Sequence, residues 1–203
     1  MNKDYVVKDA AGLQQLLGEP KAMVKQKVVK NLDDMMVNFI KRSPLIFIAS
    51  YGENGLPDIS PKGDAAGFVQ VNQDGALLIP ERPGNKLMFG FNNILENNRV
   101  GLIFVIPCTR ETLRVKGRAT LSRDPDLLQA LAAQGTPALL CTHVEVAECF
   151  FHCGKAMIRS HLWKPESWEP DEQLMARHFA NKNDLDQQQI ETTLEQSYKH
   201  NLY

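Results

Sequence analysis

Two short segments of the sequence concentrate the residue types that bind phosphate. The first is Ser60-Pro61-Lys62-Gly63-Asp64, and the second, Glu81-Arg82-Pro83-Gly84-Asn85-Lys86, follows after one predicted hairpin. Cations, a hydroxyl group and the free backbone N–H groups of a helix start are what a phosphate requires. If the strands that flank the two segments pair with each other, Lys62 would lie beside Arg82 and Lys86. The pattern therefore predicts a phosphate site formed by both segments.

The loop of the second segment has further features of an anion-binding loop. Gly84 permits the backbone to approach a ligand closely. Asn85 is suited to cap the helix that we expect to begin at Lys86, and its amide could also donate to a ligand. The alternative interpretation is that both segments carry solvated charges around two turns, since the sequence has neither a P-loop nor a glycine-rich dinucleotide motif.

A group of metal-binding residue types lies near the end of the last predicted strand. Cys149, His152 and Cys153 suggest a zinc site, but on a strand the two cysteines share one face and His152 faces the other way. There is no close cysteine pair and no evident fourth ligand, so we expect no metal. We also expect Cys153 to be a buried, inert thiol rather than a nucleophile.

Lys155, Arg159 and Trp163 follow the same strand and combine two cations with an aromatic plane. Such a set could clamp a flat, charged ligand beside a barrel. The alternative is that these are surface residues on a C-terminal turn. Covalent hydrolysis has little support, because the nucleophile-elbow, zinc-protease and glycosidase patterns are missing.

Short strands joined by turns must position these residues. An apolar helical face predicts a first helix between Val24 and Ile40, which Ser43-Pro44 ends. An Asn54-Gly55 hairpin turn is expected after the first strand. Strands are predicted at 45–49, 59–62, 67–71, 76–80, 100–106, 112–121 and 143–153, with 100–106 buried on both faces.

Helices are predicted between and after the strands. One spans Lys86 to Glu96, one opens at Asp124-Pro125, and a polar helix spans Glu169 to Tyr203. The expected buried contacts of this last helix are Leu174, Phe179, Leu185, Ile190 and Leu194. About six strands with mostly hairpin connections favour an antiparallel sheet closed into a small barrel, within a single domain.

The composition limits the class of protein. A chain of 203 residues suits one domain with a full-sized core. The 23 Lys and Arg against 24 Asp and Glu argue against nucleic-acid binding. We find no signal-peptide pattern and no apolar run of membrane-spanning length, and the four cysteines are too few for a disulfide framework. We therefore expect a soluble cytoplasmic protein.

Several phrases of the sequence form a series between about residue 33 and residue 168. They are Phe39-Ile40-x-x-Ser43-Pro44, Asp58-Ile59-Ser60-Pro61-Lys62-Gly63-Asp64-x-x-Gly67-Phe68-Val69, Leu78-Ile79-Pro80-x-Arg82-Pro83-Gly84-Asn85, Asn92-Asn93-Ile94-Leu95-Glu96-Asn97-Asn98-Arg99-Val100-Gly101-Leu102, Glu111-Thr112-Leu113-Arg114-Val115-x-Gly117-Arg118-Ala119, Phe151-His152-Cys153-Gly154-Lys155-Ala156 and Arg159-Ser160-x-Leu162-Trp163. In this order the phrases resemble the pyridoxamine 5'-phosphate oxidase-like FMN-binding flavoproteins.

The resemblance implies a mixed α+β fold, a split β-barrel with helical extensions at 1–42 and 169–203. It also implies a homodimer that holds one FMN in each of two interface clefts. Its cofactor contacts, carried over position by position, are Ser60 and Lys62 on the phosphate-binding strand, Arg82, Asn85 and Lys86 on the loop and helix start, Ile79 along the flavin edge, Thr112 and Arg114 near the ring system, and Lys155, Arg159 and Trp163 closing the cleft from the other subunit.

Two departures bear on the function. The sequence ends Ser197-Tyr198-Lys199-His200-Asn201-Leu202-Tyr203, without the Arg- and Pro-containing tail of the vitamin B6 oxidases, and its insertion between Arg82 and Asn97 is longer. We therefore expect a flavin oxidoreductase with NAD(P)H as donor and an unknown small acceptor, rather than a B6 oxidase. No catalytic residue is named, because the cofactor carries the redox chemistry. The alternatives are an FMN-binding or FMN-sensing protein without turnover, and a scaffold for deazaflavin or for haem, with His152 as axial ligand.

Overall fold

A computed structural model describes residues 1–169 and 174–203 of the chain. Within these residues the strands form one antiparallel sheet of seven strands in the order β2-β1-β5-β6-β7-β4-β3. The strands are β1 (Leu45–Tyr51), β2 (Pro57–Gly63), β3 (Gln70–Val71), β4 (Leu77–Glu81), β5 (Arg99–Val105), β6 (Thr112–Ser122) and β7 (Leu140–His152). The sheet curls into a half-barrel, which confirms the predicted antiparallel, barrel-like α+β fold.

The described helices flank this sheet. They are α1 (Ala10–Leu17), α2 (Ala22–Lys25), α3 (Asp34–Arg42), α4 (Phe89–Glu96), α5 (Pro125–Ala130), α6 (Lys155–Arg159), α7 (Leu174–Asn183) and α8 (Gln187–His200), with short 3-10 turns at Lys3–Tyr5 and Pro165–Ser167. The predicted helix start at Asp124-Pro125 is confirmed, because the Asp124 side chain accepts from the backbone N–H of Asp126.

Each of the seven predicted strand segments overlaps one of the seven described strands, so only the stated count of about six is low, by one. Strand β3 is shorter than predicted, since it contains two residues rather than the span 67–71, and it pairs with Leu77 and Leu78 of β4. Since β3 covers only part of β4, the end of β4 that leads to Glu81 has one unpaired edge.

A β-bulge interrupts the pairing of β6 and β7. Their register shifts between Lys116 and Gly117, which leaves Ala147 of β7 as an extra residue. Such a bulge bends the bulged strand and increases its twist. A Cβ at Gly117 would overlap the carbonyl oxygen of Glu145, so the close approach of the two backbones requires glycine there.

The core fills the concave side of the sheet. Alternate residues of β5 and β6 are buried, among them Leu102, Phe104, Leu113 and Val115. Strand β5 is therefore not buried on both faces as predicted, because the residues between these are only partly covered. Helix α3 closes one end of the core, and its Phe39 packs edge to face on Phe151, with ring centroids 5.5 Å apart.

The first predicted helix is interrupted. The chain leaves helix after Lys25 and Val29 instead forms an isolated antiparallel bridge with Cys149 of β7. A new helix begins after Asp33, whose carboxylate accepts from the backbone N–H of Met36. This N-cap sets the boundary that the continuous apolar spacing did not reveal, while the predicted end at Ser43 is confirmed.

The predicted C-terminal helix is two helices. Asp184, with a φ of 53°, separates α7 from α8, and residues 170–173 of the predicted span lie outside the described residues. Ala176 and Ala180 are the buried residues of α7, whereas Leu174, Phe179 and Leu185 are exposed, contrary to the prediction. Ile190 and Leu194 are partly buried.

Two turn predictions also need correction. Asn54-Gly55 lies in the β1–β2 hairpin, but the register Tyr51↔Pro57 gives a loop of residues 52–56 rather than a two-residue turn. Helix α4 begins at Phe89 rather than Lys86. Lys86 and Met88 both have positive φ, 60° and 56°, so the backbone between the loop and the helix is not helical.

Candidate functional site

A cavity of about 770 Å³ lies on the open side of the half-barrel. Its volume falls within the range of small-molecule and cofactor sites. Strands β2 and β4 form two of its walls, and the loop 82–88 with the first turn of α4 forms a third. Six predicted cofactor residues line it, namely Ser60, Lys62, Ile79, Arg82, Asn85 and Lys86.

Strands β2 and β4 meet at this cavity without pairing, contrary to the condition from which their closeness was predicted. In the sheet they are separated by β1, β5, β6 and β7. Curling of the sheet brings its two ends together, and an ion pair between Lys62 and Glu81 joins them. The closeness of the two phosphate-type segments is thus confirmed, but it results from closure of the sheet.

The cavity side of β2 presents a row of polar side chains. Asp58, Ser60 and Lys62 alternate with exposed residues, so all three face the same way. Ser60 Oγ donates to Asp58 Oδ2 at 3.0 Å. Lys62 Nζ, besides its ion pair with Glu81, lies 4.8 Å from the ring centroid of Phe91 on α4. This row supplies a hydroxyl and a cation, both already engaged within the protein.

Arg82 is held by two contacts on its guanidinium group. Its Nε donates to Asp64 Oδ2 at 2.7 Å, and its Nη2 donates to the carbonyl oxygen of Leu131 at 2.9 Å. The side chains of Arg82 and Asp64 are only 15% and 3% exposed. Among the described residues Nη1 of Arg82 has no hydrogen-bond partner, although it is buried. An unpaired buried donor costs about 1–3 kcal/mol, so this atom would gain from an acceptor supplied by a ligand.

The carboxylate of Asp64 is shared with the last residue of the sequence. Tyr203 donates its hydroxyl to Asp64 Oδ1 at 2.7 Å. Burial raises the pKa of Asp64, but the hydrogen bonds from Tyr203 and Arg82 outweigh burial and hold that pKa below its ordinary value. The same contact raises the pKa of Tyr203, because loss of the phenolic proton would set two anions together.

The loop that leads into α4 leaves the start of that helix open. Asn85 accepts from the backbone N–H of Leu87 at 3.0 Å and does not cap α4 as predicted, because the helix begins later. No side chain caps α4. Gly90, in its first turn, is close to β2, since a Cβ there would lie 3.3 Å from Asp58 Oδ2. Uncapped N–H groups at a helix start favour a bound anion.

The cations around the cavity differ in whether a carboxylate of the protein already neutralises them. Lys62 and Arg82 are paired with carboxylates. Lys86, on the exposed loop, forms no ion pair within the described part of the chain. The carboxylates Asp58 and Glu81 also line the cavity. The wall is therefore of mixed charge, with Lys86 the cation that is least engaged by the protein.

The other predicted cofactor residues do not border this cavity. Thr112 is buried on β6, and the guanidinium of Arg114 lies 5.5 Å from the ring centroid of Phe150. Trp163 donates from its indole N–H to the carbonyl oxygen of Thr109 at 2.8 Å. Lys155 and Arg159 are exposed on α6. The structure thus separates the predicted set into the six cavity residues and a second group on β6 and beyond β7.

The cysteine and histidine cluster is dispersed. Cys149 is buried, with Sγ 3.3 Å from the carbonyl oxygen of Asn31, and burial raises the pKa of its thiol. Cys153 is exposed and not buried as predicted, because β7 ends at His152 and the strand alternation stops there. No group of three or more His, Cys, Asp or Glu within residues 1–169 and 174–203 is placed to hold a metal ion.

Sequence reasoning missed several residues of the site. Asp64 and Glu81 were noted only as neighbouring charges, yet each forms an ion pair with a predicted phosphate ligand. Asp58 could have been found from its spacing of two from Ser60 on a strand. Tyr203 carried no signal, because its contact with Asp64 spans 139 residues.

The comparisons with known proteins agree with this architecture. Residues 32–153 match the family model described as pyridoxamine 5'-phosphate oxidase, which covers more than half of the sequence. The chain therefore belongs to the pyridoxamine 5'-phosphate oxidase family, and its curled sheet is the split-barrel fold of that family. No curated protein matches at a significant level.

Several solved structures resemble the chain over part of its length. HupZ from Group A Streptococcus has a TM-score of 0.48 and 17% identity, covering 59% of this chain and 93% of its own. A candidate pyridoxamine 5'-phosphate oxidase from Lactobacillus delbrueckii has a TM-score of 0.47 and 21% identity, with coverages of 60% and 95%. A protein of the pyridoxinephosphate oxidase family from Clostridium acetobutylicum has a TM-score of 0.43 and 16% identity, with coverages of 60% and 91%.

The helices also bear on membrane insertion. None of those in the described ranges combines the length and the apolar character that a bilayer crossing requires.

Proposed function

We propose that the chain is an FMN-dependent oxidoreductase whose cavity between β2, β4 and α4 holds the cofactor. Two observations carry the proposal, the buried, unpartnered Nη1 of Arg82 and the start of α4, which no side chain caps. Both features suit a bound phosphate, and both belong to elements that line the same cavity. Membership of the pyridoxamine 5'-phosphate oxidase family supports a flavin as the ligand.

Each cavity residue would contribute differently to the phosphate. Arg82 offers a fixed guanidinium, and Lys86 offers a charge that forms no ion pair with a described carboxylate. Ser60 and Lys62 would have to share their present contacts with Asp58 and Glu81. Asn85 would donate from its amide, since its Oδ1 is already occupied. We therefore assign the main role in phosphate binding to Arg82 and Lys86.

The remainder of the cofactor would lie along β4. Ile79 is buried and lines the cavity, so its strand offers an apolar surface to a flat ring. When bound, FMN would supply the hydride and electron chemistry, with the protein controlling orientation and access of water. This division of roles is the reason that no residue of the chain is assigned as a general acid or base.

We also propose a homodimer with the flavin at the subunit interface. Large apolar side chains are exposed around the cavity, which is typical of a surface covered by a partner. They are Ile59, Leu87, Met88, Phe89 and Leu139. A second subunit would also explain the more accessible predicted residues that lie away from the cavity of their own chain, since Arg114, Lys155, Arg159 and Trp163 would serve the partner's flavin.

The donor is proposed to be NAD(P)H, and the acceptor a small molecule. We place the reaction in the cytoplasm, where a reducing environment suits the four cysteines, all of which are free thiols. Vitamin B6 oxidation is not proposed, because the insertion between Arg82 and Asn97 is longer than in the vitamin B6 oxidases that the sequence resembles.

An absorption titration tests the proposal. The purified protein is titrated with FMN, freed of excess ligand, and then treated with NADPH under nitrogen. We expect bound flavin whose oxidised bands bleach on adding NADPH. Bound flavin that neither NADPH nor NADH reduces would indicate a protein that stores or senses FMN. Failure to retain FMN would contradict the proposed cofactor.

A further inference from the structure

Tyr203 reaches the cavity through a relay of two contacts. Its hydroxyl donates to Oδ1 of Asp64 at 2.7 Å, and Oδ2 of the same carboxylate accepts from Nε of Arg82 at 2.7 Å. Both of these contacts are side chain to side chain, and they join the end of the sequence to the loop that follows β4. The phenol lies beyond the cavity lining, whereas Arg82 belongs to it.

The segment after α5 also contacts Arg82 and Tyr203. The carbonyl oxygen of Leu131 accepts from Nη2 of Arg82 at 2.9 Å, and the side chain of Gln134 forms a hydrogen bond with Tyr203. Two anchored nitrogens fix the plane of the Arg82 guanidinium, and this leaves Nη1 as the donor without a described partner. The direction of that donor consequently depends on where the Asp64 carboxylate is held.

The position of Asp64 depends in turn on Tyr203. Its Oδ1 accepts only two hydrogen bonds among the described contacts, from the backbone N–H of Ala65 at 2.7 Å and from the Tyr203 hydroxyl. The Ala65 bond comes from the adjacent residue and holds the carboxylate only against its own backbone. The Tyr203 bond comes from a distant part of the chain and restrains it. The side chain of Asp64 is only 3% exposed, so little solvent is available to replace a lost donor.

We propose that Tyr203 is a positioning residue of the cofactor site, which acts through Asp64 to aim the guanidinium of Arg82 at the phosphate of the flavin. This inference rests on the proposed function, since it takes FMN phosphate as the ligand of Arg82. It assigns to the end of the sequence a role in phosphate affinity, although Tyr203 itself does not touch the ligand. The raised pKa of Tyr203 is consistent with a phenol that stays protonated, and therefore a donor, at neutral pH.

Comparison of FMN with riboflavin isolates this role, because riboflavin lacks only the phosphate. Dissociation constants for both ligands are measured by flavin fluorescence for the wild type, Tyr203→Phe and the control Tyr198→Phe. Tyr198 is an exposed tyrosine of α8, the helix that precedes Tyr203. We expect Tyr203→Phe to weaken FMN binding by about three- to tenfold, as for loss of one ordinary hydrogen bond, because the phenol acts on the phosphate only indirectly, and we expect riboflavin binding to be unchanged. Tyr198→Phe is expected to leave both constants unchanged.

Two results would overturn the inference. One is an FMN-to-riboflavin affinity ratio for Tyr203→Phe equal to that of the wild type. The other is an equal loss for both ligands, which would indicate a role in the fold alone. Failure of the proposed function is distinguishable, because the wild type itself would then bind FMN no better than riboflavin, and the inference would fall with it.

A double-mutant cycle tests the route through Asp64. The cycle uses Tyr203→Phe, Asp64→Asn and the double variant, with thermal unfolding measured for each to confirm a folded protein. We expect Asp64→Asn to weaken the binding of FMN but not that of riboflavin. Adding Tyr203→Phe to this variant should weaken FMN binding by less than about twofold further, because the phenol acts only through the carboxylate. Fully additive effects would overturn the relay.

Discussion

Lys62 of β2 and Glu81 of β4 form an ion pair across the open side of the half-barrel, although four other strands lie between β2 and β4 in the sheet. The two side chains are about equally covered, at 22% and 21% exposed. The pair has two consequences, because it joins the ends of the sheet and it neutralises one of the cations of the proposed phosphate site. Glu81 therefore reduces the attraction between Lys62 and an anionic ligand.

Removal of the Glu81 charge tests whether Glu81 opposes the binding of an anion. Glu81→Gln leaves Lys62 unneutralised beside the cavity, and we expect FMN affinity to rise by about three- to tenfold because the phosphate no longer faces a nearby carboxylate. Isothermal titration at low and moderate salt measures the change, and the gain should shrink as salt increases.

The matched control is Glu148→Gln, which breaks an exposed ion pair with Lys116 away from the cavity. It is expected to leave FMN affinity unchanged. A lower affinity for Glu81→Gln than for this control would mean that the ion pair shapes the site more than it opposes the phosphate.

Gly117 is predicted to be essential to the curl of the sheet. Gly117→Ala would force a methyl group onto the carbonyl oxygen of Glu145 and the side chain of Val144, so we expect a loss of about 2–3 kcal/mol in the free energy of unfolding. Gly101→Ala on neighbouring β5 is the control, since a Cβ there meets nothing within 4 Å. The control should be neutral or slightly stabilising, by at most about 1 kcal/mol. Urea denaturation measures both, and equal effects would contradict the close approach at the bulge.

The Asp64 carboxylate predicts an acid-sensitive contribution to stability. Its pKa is lowered in the folded protein, so the contribution is complete above the unfolded pKa and is lost as the pH falls through the folded value. Between about pH 7 and about pH 3 the free energy of unfolding should therefore fall more for the wild type than for Asp64→Asn. Denaturation at both pH values checks this, with Asp74→Asn, in an exposed turn, as the control. Equal falls for wild type and Asp64→Asn would contradict it.

The exposed apolar border of the cavity predicts a subunit interface. Leu139→Glu places a charge on that border, and we expect it to weaken the dimer by at least about tenfold, because burying an unpaired charge is costly. Sedimentation equilibrium measures the association. Leu95→Glu, an exposed position of α4 outside the cavity lining, should leave the dimer intact. A wild-type chain that sediments as a monomer would contradict the proposed interface.

The parts of the fold that depend on local pattern could be predicted from the sequence. Alternation identified β6, and the Asp124 cap identified the start of α5. Alternation and capping both act between residues that are close along the chain, so they are visible in the sequence alone. The interruption after Lys25 was missed because Val28 and Val29 continued the apolar spacing, although Val29 pairs with Cys149, 120 residues away.

The candidate site was predictable in its basic residues but not in its electrostatics. Charge and turn chemistry brought Lys62, Arg82 and Lys86 into one site, and these residues do line one cavity. Which carboxylate pairs with each cation depends on how far the sheet curls, and strand pairing alone gave the wrong route to their closeness. The contact of Tyr203 with Asp64 depends on the docking of the last segment, for which the sequence has no local signal.

The measurement that tests the central claim most directly is the equilibrium affinity of FMN for the wild type and for Arg82→Gln, with Arg123→Gln at an exposed position as the control. If the buried guanidinium holds the phosphate, Arg82→Gln should weaken FMN binding by about ten- to a hundredfold and leave its riboflavin affinity at the wild-type value. The control should keep the FMN affinity and the thermal stability of the wild type. FMN affinity that is unchanged in a folded Arg82→Gln protein would contradict the placement of the cofactor phosphate in this cavity.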